Sequence, residues 1–274
     1  VKNKRKDGFH NLESLMTFCE LGDIIRIEKS STFKLKINGP FGRFLDLNKN
    51  IIVEAVNGLE QLYEREFRVS VTLEKNLPIS SGMGGGSSNA ATVIRAIHDI
   101  FNVDESQYLD NFLISIGADV PFCYYGKSAI ITGIGDQIQF VNHDLDDYHV
   151  LLINPIKEIS TKIIFEKLKI EKEKRVKKEI KLTQINLDFL KGKENHLESV
   201  AIKELLEINI ILEFLRLKTN SLYSRMTGSG ATCFSIFENK ESLESAEKMI
   251  KLKFPFYWVM NTKLVNSIND INLV

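Results

Sequence analysis

PISSGMGGGSSNAA, residues Pro78–Ala91, is the stretch whose reading decides the fold of this chain. Upstream of it, Val69, Val71 and Leu73 alternate with polar neighbours as in a half-buried strand. That strand must end by Asn76 and Leu77, because Pro78 has no N–H to give to a ladder. Downstream, Ala90, Ala91, Ile94, Ile97 and Phe101 recur at helical spacing, with Ser87 or Ser88 placed to cap the first turn. The order is therefore strand, glycine loop, helix. Gly82, Gly84, Gly85 and Gly86 lack Cβ atoms, so successive N–H groups can turn toward one anion. The following helix adds its own unpaired amides and the positive end of its dipole. Phosphate is the natural guest, and the candidate phosphate-binding residues are Pro78, Gly82, Gly84, Gly85, Gly86, Ser87, Ser88 and Asn89.

Two familiar phosphate loops are excluded. A Walker loop needs Lys after its last glycine, and here Ser87 follows Gly86. A dinucleotide fingerprint needs a third glycine in register, and position 87 is again Ser. A flexible Gly/Ser linker has no reason to be locked between a strand and an Ala-rich helix.

Composition narrows the partners. Lys and Arg number 36 and Asp and Glu number 36, so the chain has no excess positive charge with which to hold a nucleic-acid backbone. Hydrophobic residues make up 43 % and charged residues 26 %, as in ordinary globular proteins, and the unbroken apolar runs are far shorter than a membrane span. Cys19, Cys123 and Cys233 are odd in number, widely spaced and form no CxxC pair, which points away from zinc and disulfides and toward a reducing cytoplasm.

Further along, strands are expected at Ser128–Thr132, His149–Asn154 and Thr232–Phe237, and helices near Ile159–Leu168, Leu197–Glu207 and Glu241–Leu252. The mixed-sign stretch Glu171–Lys181 reads as a solvated helix or mobile loop. The acidic, turn-prone HDLDDY at His143–Tyr148 suggests a boundary, giving an α/β (α+β) chain of two domains, 1–145 and 146–274.

PISSGMGGGSSNAA resembles the second motif of the GHMP kinases, and the GGGSSNAA form with Asn89 is similar to the branch acting on 4-diphosphocytidyl-2-C-methyl-D-erythritol. Other segments support the resemblance in colinear order. DGFHNLESLMTF, Asp7–Phe18, is similar to the family's DGYHxL segment, which implies that Phe9 stacks on a cytosine ring and His10 hydrogen-bonds it. Phe9 replaces the more usual Tyr, keeping the stacking surface and losing the hydroxyl. ISTKIIF, Ile159–Phe165, resembles the segment whose Phe covers the other cytosine face, which implies that role for Phe165. IGADVPFC, Ile116–Cys123, resembles GADVPFF and implies that Asp119 is the catalytic carboxylate. MTGSGATCF, Met226–Phe234, resembles the third motif and implies that Gly228, Ser229 and Gly230 pack close to the phosphate loop and substrate. TGIGDQI, Thr132–Ile138, is similar to a family turn between two strands.

The resemblance implies a two-domain GHMP kinase fold with its active-site cleft between the domains. It implies ATP as co-substrate, Mg²⁺ to neutralise phosphate charge, and transfer of the γ-phosphate to a hydroxyl of the methylerythritol moiety in the non-mevalonate route to isoprenoid precursors. The family's first motif, a PAKINL-like strand carrying a Lys, would precede Val1. Its loss would remove a partner of Asp119 and expose a sheet edge. Two alternatives follow: another GHMP kinase with a non-nucleotide alcohol as acceptor, and a truncated, catalytically silent nucleotide-binding remnant.

Overall fold

The computed structural model describes residues 1–5, 8, 10–47, 49–168 and 184–268. The charged stretch Glu171–Lys181 and the aromatic Phe9 lie outside them. The chain divides into two compact units built from discontinuous segments. The first comprises Gly22–Ile79 and Gly84–Gly126 together with Ile268; the second comprises Val1–Leu21, Ser80–Met83 and Lys127–Ser267.

In the first unit the strand Val69–Glu74 lies between Ile24–Lys29, antiparallel to it, and Lys34–Asn38, parallel to it. Its apolar alternation emerges as expected, with Val69, Val71 and Leu73 buried on one face. Helix α1, Ile51–Tyr63, starts where the Asn50 side chain accepts a hydrogen bond from the Ile52 amide at 3.0 Å. It buries Ile52, Ala55, Val56 and Leu59, spaced i, i+3, i+4 and i+7. Helix α2, Gly85–Phe101, packs on α1 and on α4, Val120–Tyr125. Ala90, Ala91 and Ala96 are small enough for close approach, and Val93, Ile94 and Ile97 fill the interior. Helix α3, Leu109–Ile116, completes the layer by packing on α1 and α4.

The second unit is organised by the strand His149–Asn154. It is paired on both sides, with Cys233–Phe237 and with Trp258–Val265, and so reads as an almost continuous apolar run. Leu151 and Ile153 face a core shared with α5 (Thr161–Lys167), α7 (Glu198–Glu204), α8 (Leu206–Lys218) and α9 (Lys240–Lys253). Val150 and Leu152 face a separate cluster with Leu145 and Leu187, the latter on α6, Leu187–Lys191. A four-stranded sheet carries His10–Met16 between Asn3–Lys4 and Ala129–Gly133. The TGIGDQI turn joins Ala129–Gly133 to Gln137–Phe140, with Gly133 and Gly135 at positive φ.

One expectation about the glycine helix is corrected. The helix begins at Gly85, capped by Gly84 in the left-handed region (φ 68°), rather than at a serine cap. Ser88 is already inside the ladder, its N–H donating to Gly84 O at 2.9 Å. A chain arriving with positive φ needs glycine at the cap, and this moves the first turn three residues upstream of the serines.

Ile94 is fully buried on α2, so Ile94→Ala should lower stability by about 2–5 kcal/mol. The midpoint of urea unfolding is the measurement.

Candidate active site

The first intrahelical hydrogen bond of α2 is the one from Ser88 to Gly84, so the amides of Gly84, Gly85, Gly86 and Ser87 have no carbonyl within the helix to donate to. A cluster of four such N–H groups at a positive dipole end is suited to a phosphate oxygen. Gly84 has open space where a Cβ would stand and Gly86 is exposed, so an anion can approach without meeting a side chain.

Behind this loop stands a group that sequence reading missed. The Asp23 carboxylate, whose side chain is 1 % exposed, accepts from Lys75 Nζ at 2.5 Å and from Asn89 Nδ2 at 2.9 Å through one oxygen. Through the other it accepts from the Asn76 and Leu77 amides, at 2.8 and 2.9 Å. Asn89 braces the loop's frame, its buried carboxamide donating to Asp23. Pro78 is likewise buried and shapes the entry to the loop. Burial pushes the Lys75 ammonium below its usual pKa, while the Asp23 charge opposes that shift.

In the same unit Asp119 precedes α4, with Pro121 in the first turn. Its side chain makes no capping hydrogen bond, and burial pushes its carboxyl up from the ordinary value. The backbone just before it approaches the glycine helix: a Cβ on Gly117 would lie 3.8 Å from Ser87 Oγ. A buried carboxylate that makes no capping hydrogen bond and is raised in pKa is suited to orienting a hydroxyl and taking its proton.

In the second unit the third-motif loop packs against Ser81 and Gly82. Gly82 has φ 73°, and a Cβ there would stand 2.7 Å from the carbonyl oxygens of both Gly230 and Thr227. Gly228, at φ 53°, would in turn place a Cβ 2.7 Å from Gly82 O. Thr227 Oγ1 donates to Gly82 O at 3.3 Å, and the Thr232 amide to Ser81 O at 3.2 Å. Ser229 Oγ is 2.8 Å from Thr161 Oγ1 at the start of α5. Two further residues outside the recognised motifs hold this loop. Asn195 Nδ2 donates to Met226 O and Gly228 O at 2.9 and 2.8 Å, and Glu198 accepts from the Met226 amide at 3.0 Å and from Arg216 and Arg225.

Also in the second unit, the His10 ring lies 5.2 Å from that of Phe165, tilted by 39°. His10 Nε2 is inaccessible and has no hydrogen-bond partner among the described residues. Burial, then the charge of Lys4, lowers the pKa of His10, which favours the neutral imidazole. Phe165 is half-buried against the core, so it serves packing while its ring lies beside His10.

Comparison with known proteins shows the family. Residues 50–127 match the GHMP kinases N terminal domain and residues 166–255 the GHMP kinases C terminal domain. A protein of Chelativorans sp. (strain BNC1) named 4-diphosphocytidyl-2-C-methyl-D-erythritol kinase is 34 % identical over 100 % of this chain and 94 % of its own length. The chain belongs to the GHMP kinase family. A GHMP kinase of the same name from Wolbachia pipientis wMel is 31 % identical over 97 % of this chain and 94 % of its own length. A crystal structure of 4-(cytidine 5'-diphospho)-2C-methyl-D-erythritol kinase superposes with a TM-score of 0.78 at 24 % identity, covering 96 % of this chain and 94 % of that one, which shows the shared fold.

For this GHMP kinase the motifs at Gly82–Ser88, Asp119 and Gly228–Gly230 were legible in sequence, whereas Asp23, Asn195 and Glu198 were not. Each of the latter is a common polar residue that grips a distant part of the chain, Asn89 being 66 positions from Asp23, Met226 31 from Asn195 and 28 from Glu198. The only local signal was a lone Asp after Gly22, ahead of the strand Ile24–Lys29.

Gly82→Ala should be the more damaging of two glycine substitutions, costing about 1–3 kcal/mol, because it adds close carbonyl contacts to a strained φ. Gly84→Ala meets open space and costs about 1–2 kcal/mol from φ alone. Thermal denaturation of the pair gives the order.

Proposed function

We propose that this chain transfers the γ-phosphate of ATP to a hydroxyl of 4-diphosphocytidyl-2-C-methyl-D-erythritol, giving its 2-phosphate for isoprenoid precursor synthesis by the non-mevalonate route. The observation that carries the reading is identity of 31–34 % along nearly the whole chain to kinases bearing that substrate's name. The local chemistry is in keeping with it. The amides of Gly84–Ser87 supply an anion cradle for the nucleotide's phosphates. Asp119 orients the attacking hydroxyl and accepts its proton as the new P–O bond forms. Gly228, Ser229 and Gly230 form the small, close-packed wall of the acceptor subsite.

His10 suits the cytosine. An imidazole nitrogen with no partner among the described residues, beside an aromatic ring, can hydrogen-bond a pyrimidine edge while Phe165, with Phe9, covers its faces. ATP brings a divalent cation with it. The hydroxyls of Ser87 and Ser88 and the Asp119 carboxylate are hard oxygen donors of the kind Mg²⁺ takes, and the ion would neutralise charge on the phosphates. A cytoplasmic setting is in keeping with the free thiols of Cys19, Cys123 and Cys233 and with ATP as co-substrate. The boundary between the two family domains we place at 143–148, between the matched segments 50–127 and 166–255.

Phosphorylation of the cytidylated acceptor should be inhibited competitively by CDP. A kinase for a plain alcohol would ignore CDP, and that result would remove the cytidine part of the reading. Asp119→Ala should lower kcat by about 10²–10⁴-fold; unchanged turnover would dismiss the carboxylate's role.

The raised pKa of Asp119 also makes a stability prediction. Its charged form is disfavoured in the folded state, so the destabilisation is absent below the ordinary carboxylate pKa of about 4 and grows as pH rises through the raised value. Asp119→Asn should therefore raise the melting temperature at neutral pH, and the gain should vanish below about pH 4. Melting curves across pH check this.

A further inference from the structure

The buried Asp23 cluster has more order than stability alone requires. A buried ion pair is often replaceable by apolar side chains at no loss, so its presence is weak grounds for a purely structural role. Here one carboxylate collects four donors from three places: the Lys75 side chain, the Asn76 and Leu77 amides where the chain leaves the strand Val69–Glu74, and the Asn89 side chain one turn into α2. These donors flank the whole glycine stretch. The entry is fixed from its other side too. The Lys75 amide donates to Asn38 O at 2.9 Å, its carbonyl accepts from the Phe41 amide at 3.1 Å, and Gly39, at φ 86°, lets the turn press on Lys75.

The cluster reaches the first residue of the helix. A Cβ on Gly85 would stand 3.3 Å from Lys75 Nζ and 3.6 Å from Asp23 Oδ2. An ammonium alone at a helix N-terminus is unfavourable, and a carboxylate there is favourable. Asp23 therefore cancels the charge of Lys75 at the point where the free amides of α2 begin, leaving those amides as the donors for an incoming anion.

We propose that Asp23 is a positioning residue for phosphoryl transfer: its carboxylate fixes the entry and exit of the glycine loop at the separation that presents the Gly84–Ser87 amides to the phosphates of ATP. The proposal rests on the ATP reading given above. The Asp23 side chain is 1 % exposed and grips only the nucleotide loop, so its removal should act on the nucleotide arm and leave the acceptor arm unchanged.

The test is steady-state kinetics of the full-length kinase, varying ATP and the cytidylated acceptor separately, with melting curves alongside. Asp23→Asn keeps the side chain's size but sets an NH₂ group against the donors of Lys75 and Asn89. It should raise KM for ATP about tenfold or more, with KM for the acceptor held within about twofold. The double exchange Asp23→Asn with Asn89→Asp returns one carboxylate to the cluster and should recover most of that loss. If Asp23→Asn fails to fold, Asn89→Ala, which leaves the ion pair intact, should still raise KM for ATP about threefold with KM for the acceptor unchanged. Equal rises in both KM values, a fall in melting temperature with both KM values unchanged, or no recovery in the double exchange would each overturn the positioning role. An unsubstituted protein that neither binds nor turns over ATP would instead overturn the nucleotide reading beneath it.

Discussion

Four main-chain N–H groups at the start of a helix, with no preceding turn to satisfy them, are the constraint around which this protein is arranged. Gly84 adopts a left-handed conformation at the cap, the helix begins at Gly85, and the amides from Gly84 to Ser87 are left to whatever anion comes. Unsatisfied amides are costly when buried, so the loop must stay open at its mouth while being held rigidly from behind. Glycine meets the first demand, because it adds no side chain in front. The second demand needs polar groups that can grip a backbone without filling the mouth.

In the first unit that grip is Asp23, which holds both flanks of the loop from a site with almost no exposure. In the second unit, the residues preceding Met83 are held by Gly228, Gly230 and Thr227. There carbonyl oxygens stand where side chains would otherwise be, and Asn195 and Glu198 clamp the strand from which that turn emerges. In both places hydrogen bonds to backbone atoms, rather than apolar contacts, set the position of the chain. Hydrogen bonds are directional and packing is much less so, which makes them the suitable means of holding a loop to the tolerance that in-line transfer demands.

Two groups are kept in states that are unfavourable for folding. Asp119 is desolvated, which raises its pKa, and His10 keeps an inaccessible ring nitrogen with no hydrogen-bond partner among the described residues. A sequence selected for stability alone would neutralise both. Their retention near the glycine helix in one unit and beside Phe165 in the other is the pattern expected where local stability is given up for chemistry.

The amino-acid sequence by itself determined the strand–loop–helix order around Gly82–Ser88, the alternation of Val69, Val71 and Leu73, the helical faces and the family motifs, because each of these is written in residues only a few positions apart. It misplaced the helix start, since a serine cap and a glycine cap at positive φ differ only in backbone dihedrals. Tertiary structure alone decided that Asn89 turns inward, that His10 meets Phe165 across 155 residues of chain, and that Asp23, 66 residues from Asn89, sits behind the glycine loop. The physical reason is that a buried polar group is defined by the partners that satisfy it. Those partners are brought together by folding of the whole domain and leave no periodicity for the sequence to display.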